Sequence, residues 1–145
     1  MADAAVDILK ILPHRYPMLL IDKVIDVVPG QQCHALKNVT NNEAVVQDYS
    51  DQKPRYPQTL MVESMAQAGA VALLTLPEFA GHLAFFGGID QATFNGWAYP
   101  GDILDIQVEI TKLRQNAGVG VGHIFVADQE ICQATLTFLV SPKEA

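Results

Sequence analysis

Between Arg55 and Glu78 the chain carries a single charged side chain, Glu63. Apart from that residue, Pro57 to Leu76 is built from Leu, Met, Val, Ala, Gly, Thr, Ser, Gln and the initial proline. This composition predicts a helix of about five turns that is apolar nearly all round. A surface helix keeps one polar face, so a helix without one must be covered on most sides. Any fold open to this chain has to wrap around that segment. The material for doing so is limited to 145 residues, half of them apolar and 17% charged. Such a chain builds one domain with a real core, here residues 1–145, and is too apolar for a disordered or scaffold-like protein.

The rest of the sequence supplies strands. Asp3 to Leu12 reads as a short helix with Asp3 as its cap, stopped by Pro13. Met18 to Val28 and Gln32 to Val39 read as a hairpin turned by Pro29-Gly30. Asn41 to Tyr56 is a polar loop. After Pro77, Leu83 to Phe86 is an apolar run ending in Gly87-Gly88, and Asp90 to Phe94 reads as a helical turn. Ile103 to Leu113 alternates, with Leu104, Ile106, Val108 and Ile110 on one face. Val119 to Val126 carries Gly120 and Gly122, in phase with Gly118, on one face, where a neighbouring group can approach closely. Ile131 to Val140 turns Ala134, Leu136, Phe138 and Val140 inward. A curved antiparallel sheet wrapped around one long buried helix, an α+β fold, satisfies this inventory. Its open edges and the apolar helix are covered by pairing two copies.

Composition excludes several functions. A formal charge of −7 argues against nucleic acid as a partner. No apolar run approaches the ~20 residues of a membrane span. Met1-Ala2-Asp3 lacks the basic start of a secretory signal, and Cys33 and Cys132 lack metal-type spacing, so a reducing cytoplasmic setting is expected. His34, His82 and His123 have no partner at ligand spacing, so no metal site is expected.

Several blocks resemble one family in order. Leu12-Pro13-His14-Arg15-Tyr16-Pro17, followed by Leu19-Leu20-Ile21-Asp22-Lys23-Val24, is similar to the opening of the FabZ-type β-hydroxyacyl-acyl-carrier-protein dehydratases. Ala35 to Glu43, Glu63-Ser64-Met65-Ala66-Gln67, Gly88-Ile89-Asp90-Gln91-Ala92 and Pro100-Gly101-Asp102 with Leu104 resemble later blocks. The resemblance implies a hot-dog fold, a dimer with two acyl tunnels at its interface, and assembly as a trimer of dimers. It also implies an acyl thioester on acyl-carrier protein or coenzyme A as substrate, and no cofactor. One departure stands out. The family carries its catalytic histidine in a Gly-His-Phe-Pro-Gly loop. Here that stretch is Gln47-Asp48-Tyr49-Ser50-Asp51-Gln52-Lys53-Pro54, and no histidine lies between His34 and His82. Aligning Tyr49 with the family phenylalanine puts Asp48 at the histidine position.

Dehydration of a 3-hydroxyacyl thioester needs a base for the α-proton, an acid for the departing hydroxide, and donors for the carbonyl oxygen. Glu63 is the candidate acid, since apolar surroundings penalise a charged carboxylate. Asp48 is the candidate base, although an ordinary Asp is ~2.6 units less basic than an ordinary His. The helix start at Gln58, Thr59 and Leu60, with Tyr56 just before it, is the candidate binding end. Gln67, at i+4 from Glu63, is expected to hydrogen-bond it. The structural alternative for Glu63 is a first-turn carboxylate complementing the helix dipole, worth ~0.3–1 kcal/mol. His14, between Pro13 and Arg15, is expected to be a structural anchor. Met61, Met65, Leu60, Phe85 and Phe86 are expected to be core, and the two cysteines small core residues. Three functions fit: the lyase, a thioesterase using a carboxylate, and a non-catalytic acyl-binding or partner subunit. Lys53, Arg55, Lys112 and Arg114 are the candidate patch for an acidic carrier.

Overall fold

The computed structural model describes residues 6–47 and 53–142; Asp3 and Asp48 lie outside them. The order is α1 (Ile8–Ile11), β1 (Lys23–Val28), β2 (Gln32–Asn38), α2 (Gln58–Leu74), a 3-10 turn (Pro77–Phe79), β3 (Ala84–Phe94), β4 (Ile103–Arg114), β5 (Ala117–Val126) and β6 (Gln129–Val140). The six strands form one sheet in the order β1-β2-β4-β5-β6-β3, with every pairing antiparallel. β1 and β3 are therefore the edges. α2 packs against all six strands, and thirteen of its seventeen residues are buried. This is the α+β arrangement, sheet around helix, that a segment with a single charge requires.

Small residues set how closely helix and sheet approach. A Cβ on Gly122 of β5 would stand 2.6 Å from the Met65 sulfur. One on Gly69 of α2 would stand 2.5 Å from the tip of the Phe138 ring. Only hydrogen fits at these two contacts. Leu104, Ile106 and Val108 of β4 and Ala134, Leu136, Phe138 and Val140 of β6 are buried in the core beside them. Thr75 closes α2, its hydroxyl donating to the Val71 and Ala72 carbonyls. Gly30, at φ 73° in the β1–β2 turn, donates its N–H to the Ala72 carbonyl at 2.7 Å. Cys33 and Cys132 are buried and unbridged, and burial pushes both thiols up to about 12.

Three local expectations are corrected. α1 begins only at Ile8, and its cap is Asp7, whose carboxylate accepts the Leu9 N–H at 3.2 Å. β1 begins at Lys23 rather than Met18, because the Met18 carbonyl and Leu20 N–H are bonded to the Gln67 side chain instead of to a strand. Asp90 to Phe94 is not a helical turn but the second half of β3. The register of β3 against β6 shifts between Phe86 and Gly88 and again between Ile89 and Gln91. These two bulges break the period-two pattern that would have marked one long strand.

Candidate functional site

Glu63 lies in the second turn of α2, and no acidic residue occupies the first turn. The simple dipole-complementing role is thereby ruled out, because that effect fades within the first turn. The side chain is 21% exposed, on a helix whose following residues are almost all buried. One turn on, Gln67 donates from Nε2 to Glu63 Oε1 at 3.0 Å, as the i,i+4 spacing predicts. Gln67 is itself buried. Its Oε1 accepts the Leu20 N–H at 2.8 Å, and its Nε2 also donates to the Met18 carbonyl at 2.8 Å. Both N–H directions of that amide and one of its two acceptor positions are therefore engaged, and its orientation is fixed.

The irregular segment 12–22, a strap that Gln67 ties to α2 through Met18 and Leu20, also brings His14 to the site. Arg15 donates to the Leu9 and Leu12 carbonyls, both at 2.8 Å, and so ties the strap to the end of α1. His14 Nε2 then stands 3.4 Å from Glu63 Oε1. The anchor role expected for His14 is incomplete, since its ring faces the carboxyl. Nothing in the local sequence signalled this. The contact spans 49 residues and depends on an irregular segment with no periodicity. The other histidines are engaged elsewhere: His34 with Asp105 and His123 with Glu130, both at 2.6 Å, and His82 with the Ser141 carbonyl.

Glu63 sits where two cavities meet. One, of about 200 Å³, is lined by His14, Glu63, Gln67, Phe85, Phe86 and Phe138 among others. The second, of about 280 Å³, has Thr59, Val62, Glu63, Phe86, Ile89 and Phe94 in its walls. Phe85 and Phe86 are thus not core, as expected, but partly exposed walls at the sheet edge, 53% and 41% accessible. Met61 and Met65 are core, fully buried. A carboxyl at the end of an apolar-walled cavity suits a polar reacting centre on an otherwise apolar ligand.

The remaining candidates are distributed around this point. Thr59 lines the second cavity. Gln58 donates from its side chain to the Gly96 carbonyl at 3.2 Å. The Leu60 N–H turns back to the Pro57 carbonyl at 3.1 Å. Tyr56 is buried in the core, with its hydroxyl 2.9 Å from Ser64 Oγ and 3.3 Å from the Leu60 carbonyl. Burial above all raises that phenol beyond its usual range. Asp48 falls outside the described residues, so its relation to Glu63 rests on sequence alone. Beside the start of α2, the Arg55 guanidinium stacks 3.8 Å from the centre of the Trp97 ring, and Lys53 Nζ lies 5.9 Å from that of Tyr99.

Comparison with known proteins agrees with this architecture. Residues 12–135 match the FabA-like domain family. The chain is 49% identical over 134 residues to the 3-hydroxyacyl-[acyl-carrier-protein] dehydratase FabZ of Enterococcus faecalis, covering 92% of this chain and 95% of the relative. It is 47% identical to the FabZ dehydratase of Clostridium tetani, covering 92% and 94%. Among solved structures it resembles the dehydratase heterocomplex ApeI:P of Xenorhabdus doucetiae, with a TM-score of 0.82 and 21% identity over 97% of this chain and 94% of that one. That likeness establishes the hot-dog fold, and the two sequence relationships establish the kinship: the chain belongs to the FabZ-type dehydratase family.

Proposed function

We propose that this chain dehydrates a 3-hydroxyacyl thioester carried on acyl-carrier protein, with Glu63 as the group that exchanges the proton of the leaving hydroxyl. The C2–H bond breaks to a base, the C3–O bond breaks, and the hydroxide leaves as water after protonation, giving the 2-enoyl thioester. The observation that carries this reading is Glu63 at the junction of two cavities, one of mixed lining that holds His14 and Gln67 and one walled by apolar side chains, with Oε1 already held by Gln67. The names of the relatives support the reaction and the carrier. Asp48 is proposed as the base on sequence alignment, and Thr59 and Gln67 as binding residues. Gln58, Leu60 and Tyr56 are assigned to shaping the start of α2. Lys53 and Arg55, braced against Tyr99 and Trp97, are proposed to meet the acidic carrier.

The working unit is proposed to be a homodimer, with a trimer of dimers as the larger assembly. β3 is an edge strand, and it exposes Phe85, Phe86, Ile89 and Phe94 beside Glu63. An apolar edge of this kind is covered in a stable protein, and a second copy presents the matching edge. The buried, unbridged thiols support a reducing, cytoplasmic setting. No helix among the described residues is long and apolar enough to cross a membrane.

Incubation of the purified protein with 3-hydroxybutyryl and crotonyl thioesters tests the function, with enoyl absorbance and free thiol followed together. Enoyl formation without thiol release is the expected result. Thiol release would identify a thioesterase, and neither signal a non-catalytic subunit. Asp48→His, alone and with Gln52 deleted, tests the base. Dehydration should rise if a stronger base then faces Glu63, and unchanged activity in both variants removes Asp48 from the mechanism. A monomer in sedimentation at micromolar concentration would overturn the dimer.

A further inference from the structure

His14 carries a feature that packing does not explain. Its Nδ1 is a buried polar atom that finds no hydrogen-bond partner among the described residues. Its Nε2 points toward Glu63 Oε1 at 3.4 Å, close but long for a formed hydrogen bond. An orphaned buried N–H is rarer in proteins than an orphaned acceptor. The favoured tautomer therefore keeps the lone pair on Nδ1 and the hydrogen on Nε2. Protonating Nδ1 would bury an N–H with nothing to receive it, so the ring is a neutral donor rather than a base.

Gln67 Nε2 donates to the same oxygen at 3.0 Å. Two N–H groups thus converge on Oε1. Contacts of this kind are often long in an empty site and tighten when substrate is bound. We propose that His14 is a positioning residue for the Glu63 carboxyl: together with Gln67 it holds Oε1, so that the proton is exchanged at Oε2. This rests on the dehydratase reading for its consequence in catalysis, although the arrangement of the carboxyl can be tested without turnover. It also gives the strap a purpose, because Arg15 and Gln67 fix the segment from which His14 reaches the site.

The test compares His14→Phe, which keeps a ring but no donor, with His14→Gln, whose amide nitrogen reaches about as far as imidazole Nε2. In the Phe variant kcat should fall by roughly 10- to 100-fold with KM within about twofold, as for a group that acts through another. The limb of the pH–rate profile that reports the carboxyl should move to higher pH, since a donor to its charged form is lost. The Gln variant should recover most of both. Unchanged kcat and pH profile in the Phe variant would overturn the proposal, reducing His14 to packing. A Gln variant as impaired as the Phe variant would also overturn it, because the imidazole itself would then be transferring the proton. Carbon NMR titration of the labelled Glu63 carboxyl provides the readout that needs no turnover. If the wild-type protein dehydrates nothing, the functional reading fails. The positioning role still stands if the Glu63 midpoint rises in the Phe variant and returns in the Gln variant, and falls if it does not move.

Discussion

Gly69→Ala sets two physical effects of opposite sign against each other. Glycine in a helix interior costs ~1 kcal/mol relative to alanine, so propensity alone predicts a more stable protein. The structure predicts the reverse. The new methyl would lie 2.5 Å from Phe138 Cζ and 3.1 Å from both Cε atoms. Phe138 is 2% exposed, and its other flank is closed by Gly120, where an added Cβ would stand 3.0 Å from the ring. The ring cannot slide, so helix and sheet must separate. Overpacking of this kind costs ~1–3 kcal/mol. After the propensity gain, the net loss is about 1 kcal/mol, or roughly 2–4 °C in Tm for a domain of this size. Calorimetry of Gly69→Ala beside Gly88→Ala separates the terms, because a Cβ on Gly88 meets nothing within 4 Å. The Gly88 variant should match or slightly exceed wild type. Phe138→Leu in the Gly69→Ala background should recover part of the loss through a coupling energy. A Gly69→Ala protein that melts about 3 °C above wild type would refute the reasoning, since propensity would then be the whole effect.

Glu63→Gln is expected to leave Tm nearly unchanged and to cut dehydratase turnover by ~10²-fold or more. Full activity would make the carboxylate structural. Lys37 is buried, donating to Glu43 Oε1 at 2.6 Å and to the Asn38 carbonyl at 2.8 Å. Lys37→Met takes the cation from Glu43 and leaves it, among the described residues, the Thr40 N–H on its other oxygen, so denaturant unfolding should show a loss of about 3 kcal/mol. Cys33 and Cys132 should resist thiol reagents at pH 8 in the folded protein and react on unfolding. Both thiols ionise at about 12 when folded and near 9.0 otherwise. Their contribution to stability is therefore complete below pH 9 and declines as pH rises from there toward 12. Unfolding curves of Cys→Ala variants, measured between these limits, should show a weaker pH dependence than wild type.

Much of the fold was legible in the sequence because its strongest signals are local. A segment bounded by prolines and carrying a single charge announces α2, and period-two alternation announces β4 and β6. β3 was misread because two bulges, near Gly88 and Asp90, cancel the alternation on which a strand assignment relies. β1 was extended too far because Leu19, Leu20 and Ile21 are apolar for a different reason. They dock a strap on α2, and a glutamine takes the backbone groups that a strand would have paired. In the site, the Glu63–Gln67 pair follows from helical spacing alone. The approach of His14 does not, since it is set by the path of the strap. The outward turn of Phe85 and Phe86 depends on β3 being an edge, which no single segment reveals.

The Gln67 amide joins two regions whose resistance to opening differs. α2 is enclosed on most sides, whereas residues 6–22 form a thin outer layer with a single short helix. Such layers open by sub-global fluctuation long before the whole domain unfolds. When this one detaches, the Leu20 N–H and Met18 carbonyl leave Gln67, and the amide loses what fixes its direction toward Glu63. The upper temperature for activity should then follow the free energy of strap release rather than the midpoint of global unfolding. Hydrogen exchange at the Leu20 amide reports that free energy directly. Its temperature dependence, rather than that of the α2 amides, should track the onset of thermal inactivation.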